Sequence, residues 1–256
     1  MKIIETHAHL DFPQLFDRIP EIIDRGKCAG INKIISIGCD ALRAKKTSQI
    51  CKKFSSIFGA VGIHPNNCGD NFSENIKKIE KIATENKKIV AIGETGLDFF
   101  YSKNPPKKQQ VLAFREHIKL AKKLKKPLIL HFRNAENLAA EILPELKGQK
   151  FVVHCFSGDQ NFAKKIFNLG GKISFTGIIT FPNCQPEVIE VLQSASPENF
   201  FFETDSPFLA PQKFRGKINE PSFLLEIIKF AAKIRNEKVE ELAIKSTKAA
   251  ELFFNI

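Results

Sequence analysis

Four histidines and two carboxylates, in the order His7/His9, Glu94, His131, His154 and Asp205, stand at the C-terminal ends of separate apolar runs. Imidazole and carboxylate are common ligands of divalent metals, and a carboxylate can also take the proton of an attacking water. If the runs are parallel strands of one closed barrel, each delivers its polar residue to the same rim. The six would then line a single pocket suited to divalent cations.

Each segment carries its own signal. In Glu5-Thr6-His7-Ala8-His9 the two histidines are two residues apart. On an extended chain they share a face at roughly 6.5–7 Å, so both imidazoles can reach one ion. Glu94 follows Val90-Ala91-Ile92-Gly93, where a poorly solvated carboxylate needs a cation, and its two oxygens allow it to bridge two ions. A buried ion pair with Arg or Lys would serve the same need. His131 closes Pro127-Leu128-Ile129-Leu130, and His154 closes Phe151-Val152-Val153. Singly, either is more often a satisfied core histidine than a ligand. Jointly the pattern is hard to place at random, since five of the six histidines fall in strand-end segments and only His117 sits on an expected helix. Phe200-Phe201-Phe202 ends in Glu203 and Asp205. Asp205 is expected to face the pocket as ligand and partner of the attacking water; Glu203, deeper on the same side, orients a histidine. In Gly62-Ile63-His64-Pro65 the proline holds His64 out of any helix. His64 can contact an anionic substrate, donate a proton, or be structural. Cys155 neighbours His154 and, by strand alternation, is expected to point away from the metals. No Gly-x-Ser-x-Gly elbow and no Walker-type phosphate loop is present.

Short apolar runs alternating with longer amphipathic ones are what must position these groups. Strands are expected at Ile3–Thr6, Lys33–Ile37, Ile57–Val61, Ile89–Ile92, Leu128–Leu130, Phe151–Val153, Lys172–Phe175 and Phe200–Phe202. Several lack polar alternation, as parallel strands covered on both faces do. Helices are expected at Arg18–Ala29, Ala41–Phe54, Glu74–Glu85, Lys107–Lys125, Ala135–Leu146, Gln160–Leu169 and Glu187–Ser194, then Ser222–Arg235 and Val239–Phe253. Eightfold strand–helix alternation fits an α/β fold of the (β/α)8 TIM-barrel type better than a doubly wound sheet. The expectation is a single domain over residues 1–256, a length typical of that barrel.

Composition narrows the setting. No uncharged apolar run reaches about 18 residues, so no membrane span is expected. The charged start, Met1-Lys2-Ile3-Ile4-Glu5, does not resemble a signal peptide. Six cysteines without CxxC spacing read as reduced thiols, and the expected location is cytoplasmic. A net charge of +11 suits an anionic partner such as nucleic acid and equally suits a lysine-rich compositional bias. Nothing in the pattern calls for an obligate protein partner, and a monomer is expected.

With these motifs laid out, the chain resembles the TatD family of metal-dependent deoxyribonucleases, which are amidohydrolase-type TIM barrels. The resemblance rests on Thr6-His7-Ala8-His9-Leu10-Asp11, Gly62-Ile63-His64-Pro65, Gly93-Glu94-Thr95-Gly96-Leu97-Asp98, His154-Cys155-Phe156-Ser157-Gly158 and Glu203-Thr204-Asp205-Ser206-Pro207. Weaker matches are His131-Phe132-Arg133-Asn134-Ala135, Ile173-Ser174-Phe175-Thr176-Gly177 and Asn219-Glu220-Pro221, and the set spans nearly the whole chain. The chain departs at Phe132-Arg133-Asn134, where the family has Ser-Arg-Asp, at Phe99-Phe100, often Tyr-Tyr, and at Ala249, usually Asn. The departures bear on substrate preference and touch no expected ligand.

The resemblance implies cleavage of DNA phosphodiester bonds by a water activated between two divalent metal ions. One ion would be held by His7, His9, Glu94 and Asp205, the second by Glu94, His131 and His154. Asp205 would be general base, with Glu94 and His64 as further catalytic groups and His64 and Arg133 as phosphate contacts. Family resemblance puts Mg first, while the imidazoles favour Zn, Mn, Fe or Co. The alternative is a barrel metallohydrolase acting on small esters, amides or lactones, distinguished by faster turnover of such compounds than of DNA. A non-catalytic nucleic-acid-binding barrel is the third reading, marked by DNA bound but uncut and no metal by elemental analysis.

Overall fold

The computed structural model describes residues 2–69 and 71–256; Met1 and Asp70, which the expected 1–256 domain includes, lie outside the described residues. The apolar runs form strands β1 (Ile3–Ala8), β2 (Ile31–Gly38), β3 (Ile57–Val61), β4 (Ile89–Asp98), β5 (Leu128–Arg133), β6 (Phe151–Val153), β7 (Lys172–Phe175) and β8 (Phe200–Phe202). They lie in one parallel sheet in the order β1 to β8. An isolated parallel bridge, Ala8 with Ser206, carries the last strand back to the first. The chain is thus the expected α/β TIM barrel.

The helices are α1 (Pro13–Phe16), α2 (Ile19–Cys28), α3 (Ala41–Lys53), α4 (Phe72–Glu85), α5 (Lys107–Leu124), α6 (Glu136–Ile142), α7 (Gln160–Asn168), α8 (Pro186–Ser194), α9 (Leu224–Arg235) and α10 (Val239–Phe254). The expected helix Ala135–Leu146 ends instead at Ile142 and tightens into a 3-10 turn over Leu143–Leu146, where Pro144 cannot donate its backbone hydrogen bond. Pro221 similarly starts a 3-10 turn before α9, and the one-turn α1 was not expected.

Strand alternation sorts the apolar residues into two layers. Ile4, Ile35, Ile37, Ala60, Ala91, Ile129, Val152 and Phe201 form a cluster whose helical members, among the described residues, come from α10 alone, and so fills the barrel. Their neighbours, among them Ile3, Ile34, Val61, Ile92, Leu128, Phe151, Phe175 and Phe202, pack outward with the helices in the main core. Phe253 and Phe254 of α10 close the N-terminal end of the barrel, their rings 5.3 and 5.8 Å from Phe201. That plug leaves the opposite, C-terminal rim for the site.

Four strands, β1, β2, β4 and β5, run further than expected. β4 continues past Ile92 to Asp98 because Thr95–Asp98 pair with Leu130–Arg133 of β5, after a register shift between Ile92 and Thr95. Gly93 and Gly96 permit this close pairing: their φ angles are +140° and +141°, and a side chain on either would strike a β5 carbonyl, of Ile129 and His131 respectively.

His117 shows what a histidine outside the pocket does. It is fully buried on α5; Nε2 accepts the Ile63 N–H at 3.0 Å, so Nδ1 carries the proton toward the Ala113 carbonyl at 2.7 Å. Burial lowers its pKa to about 4, against smaller opposing effects of the Ala113 carbonyl and Glu116. A second proton would face the Ile63 N–H. Because the folded value lies below the unfolded one, its stabilisation is complete above about pH 6.5 and is lost as pH falls toward 4, by about 3 kcal/mol. Denaturant titrations at pH 7 and 4.5 should show a loss larger by roughly 2–3 kcal/mol in the wild type than in His117→Gln. Equal pH dependence of the two would refute it.

Candidate metal centre

β1 and the segment after β8 are zipped together at the rim. The Asp205 N–H donates to the His7 carbonyl at 3.0 Å and the His9 N–H to the Ser206 carbonyl at 2.7 Å. Buried Glu5 clasps the same two segments, its Oε1 accepting the N–H groups of His7 and Thr204, each at 3.0 Å. Burial raises the Glu5 carboxyl to about 8 despite these bonds. The result sets Asp205 Oδ1 3.6 Å from His7 Nε2 and 3.2 Å from His9 Nε2.

The β4 irregularity turns Glu94 into the centre of the pocket. Its Oε1 lies 2.7 Å from His154 Nε2, 2.9 Å from His131 Nδ1 and 3.3 Å from His64 Nε2. Its Oε2 faces the other way, 3.4 Å from His7 Nε2 and 3.8 Å from His9 Nε2. One carboxylate therefore separates two nitrogen clusters. Burial would raise its pKa, but His154, His64 and His131 outweigh burial and hold Glu94 well below the ordinary carboxylate range. Asp205 is likewise held low by His9 and His7 against the effect of burial.

The donor set fits divalent cations. Both ring nitrogens of His7 are buried without a hydrogen-bond partner, and burial lowers its pKa, so the imidazole stays neutral and able to ligate. His131 Nδ1 and His154 Nε2 converge to 3.0 Å, aimed at one point beside Glu94 Oε1. Ligand atoms of His7, His9 and Glu94, and of Glu94, His131 and His154, each lie within 4.8 Å of one another. Imidazole nitrogen and carboxylate oxygen suit Zn, Mn, Fe or Co, and Mg less well.

Further polar groups stand around this set. Glu203 Oε1 lies 3.4 Å from His154 Nδ1, a charge contact longer than a well-directed hydrogen bond, and accepts the Cys155 N–H at 2.8 Å. Glu203 thus lies on the side of His154 away from Glu94. Asp98, which the sequence alone does not mark as a site residue, has its Oδ2 3.3 Å from His131 Nε2. Its place in the chain's family-like motif was the available signal; the unforeseen β4 extension hid its role. Buried Cys39, 3.5 Å from Glu94 Oε2, and Arg43, paired with Asp11 at 2.9 Å, follow β2, whose end carries no histidine or acid to flag it.

Cys155 corrects the expectation from alternation. β6 ends at Val153, and Cys155 adopts a left-handed backbone (φ 47°) that brings it to the cavity wall. Burial raises its thiol to about 12, so it remains protonated and no thiolate nucleophile arises.

The centre opens into a cavity of about 770 Å³. Arg133 and Arg43 stand on its walls, the guanidinium of Arg133 3.7 Å above the Phe100 ring and that of Arg43 3.9 Å above Phe12. Stacking holds each planar fork in place while leaving donors for an anion.

The TatD related DNase family model matches residues 4–255. An uncharacterized metal-dependent hydrolase of Buchnera aphidicola (subsp. Acyrthosiphon pisum) is 34% identical, with both chains covered in full. The uncharacterized metal-dependent hydrolase YabD of Bacillus subtilis is 33% identical over 99% of each chain. Among solved structures, the TatD homolog YjjV of Escherichia coli superposes with a TM-score of 0.93 at 28% identity, covering 99% of this chain and 98% of the other.

Proposed function

The chain belongs to the TatD family of metal-dependent hydrolases, and from that premise we propose that it is a deoxyribonuclease that hydrolyses DNA phosphodiester bonds. The observation that carries the reading is Glu94, with three imidazole nitrogens around one oxygen and two around the other. His7, His9, Glu94 and Asp205 would hold one divalent ion, and Glu94, His131 and His154 a second. Such ions, when bound, supply Lewis acidity that activates water and offsets the charge developing on a phosphodiester.

The chain's own residues do the rest. Asp205, its side chain 13% exposed at the cavity, takes the proton of the attacking water. Glu203 and Asp98 fix the rings of His154 and His131 through their outward nitrogens. Arg133, Arg43 and His64 line the space where a phosphate would sit, and the net charge of +11 favours a polyanion over a small neutral amide or lactone.

Release of nucleotides from end-labelled DNA in Mn or Mg by the wild type, and none by Glu94→Ala, is the expected result. Turnover of small esters or lactones with DNA left intact would overturn it. Arg133→Ala is expected to raise KM for DNA roughly tenfold with a smaller change in kcat, because the guanidinium grips phosphate in ground and transition states alike. Steady-state kinetics on one oligonucleotide decide this: an unchanged KM removes Arg133 from the substrate path.

A further inference from the structure

The opposite end of the barrel holds a second cavity, of about 520 Å³, at the N-terminal ends of β4, β5 and β6. Five lysines line it, Lys87, Lys122, Lys125, Lys126 and Lys150, and no Asp or Glu does. Among the described residues none of the five forms an ion pair with a carboxylate. Three reach backbone carbonyls instead: Lys122 that of Glu145 at 2.8 Å, Lys126 that of Ile89 at 2.5 Å and Lys150 that of Leu252 at 3.3 Å. Each ammonium carries three donors, so most remain free. Lys126 is half-buried, and burial lowers its pKa from the ordinary lysine value.

Capping of helix ends explains only part of this charge. The C-terminal ends of α5 and α10 face the cavity, since their caps Lys125 and Asn255 line it. Each end contributes roughly half a negative charge, about one in all against the five ammonium groups. A surplus of about four positive charges is left around a pocket the size of a small ligand.

We propose that this cavity is a binding site for a small oligophosphate anion, an inorganic triphosphate or the triphosphate of a nucleotide, separate from the metal centre. Several adjacent phosphates present the charge density that matches such a cluster, and Val90, Pro127, Phe253 and Phe254 give the pocket an apolar floor. The site does not depend on the nuclease reading.

The test is calorimetric titration of the full chain with inorganic triphosphate, in buffer holding Mg in excess of the anion so that metal binding is not competed away. Wild type and Glu94→Gln should bind with equal affinity, while exposed-site variant Lys87→Glu/Lys150→Glu should bind roughly tenfold or more weakly, its hydrolytic rate unchanged. ATP in place of triphosphate, bound at least as tightly, would assign a nucleotide as an acceptable source of the same anion. Absence of binding at millimolar triphosphate overturns the proposal. So does binding unaltered by the lysine reversals, or binding lost in Glu94→Gln, which would place the anion at the metal centre.

Discussion

Glu94→Gln is expected to lower the rate of metal-dependent hydrolysis roughly a thousandfold or more while leaving the barrel folded. The substitution keeps shape and volume, so the packing around β4 has no reason to change. What changes is that one side of the group now presents an amide NH2 to one of the two nitrogen clusters it separates. His131 and His154 stand within 2.9 Å of Oε1, and His7 is 3.4 Å from Oε2. Whichever cluster receives the NH2 loses an anionic donor, and both lose half of a shared negative charge. Metal content by elemental analysis should therefore fall together with activity, to one equivalent or fewer. A variant that hydrolysed at near wild-type rate with unaltered metal content would remove Glu94 from the centre and the bridging reading with it.

The same residue shows how much of the site is legible in the sequence. His7, His9, His131, His154 and Asp205 were legible because parallel strands buried on both faces leave apolar runs, and a polar group ending such a run is conspicuous. Phe151–Val153 and Phe200–Phe202 match their expected strands residue for residue. What stayed hidden depends on departures from regular strand geometry. Glycine counts against a strand in any sequence reading, yet Gly93 and Gly96 are what let β4 continue to Asp98. Alternation misplaced Cys155 because the backbone turns left-handed immediately after His154. Arg43 gives no such signal, since what holds it at the cavity wall is a stacking partner, Phe12, from a different loop.

Gly93→Ala should cost roughly 3–5 kcal/mol of stability. Two penalties coincide there. The φ of +140° is one that L side chains rarely adopt, and the added carbon would collide with the Ile129 carbonyl oxygen while standing 3.0 Å from Ile129 Cβ. Relief by rotamer change is closed off, because the obstacle is the backbone of β5. Moving β5 would break its pairing with Thr95–Asp98 and displace His131, which follows Leu130 in the same strand. Glu94, next in sequence, would shift as well, so metal affinity and stability should fall together. Gly69→Ala supplies the comparison: its added carbon meets nothing within 4 Å, and stability should stay within about 0.5 kcal/mol of wild type. Urea denaturation of the two variants beside the wild type decides the matter. If Gly93→Ala unfolds at the same denaturant concentration as Gly69→Ala, the close approach of β4 to β5 is not what holds Glu94 between the histidines.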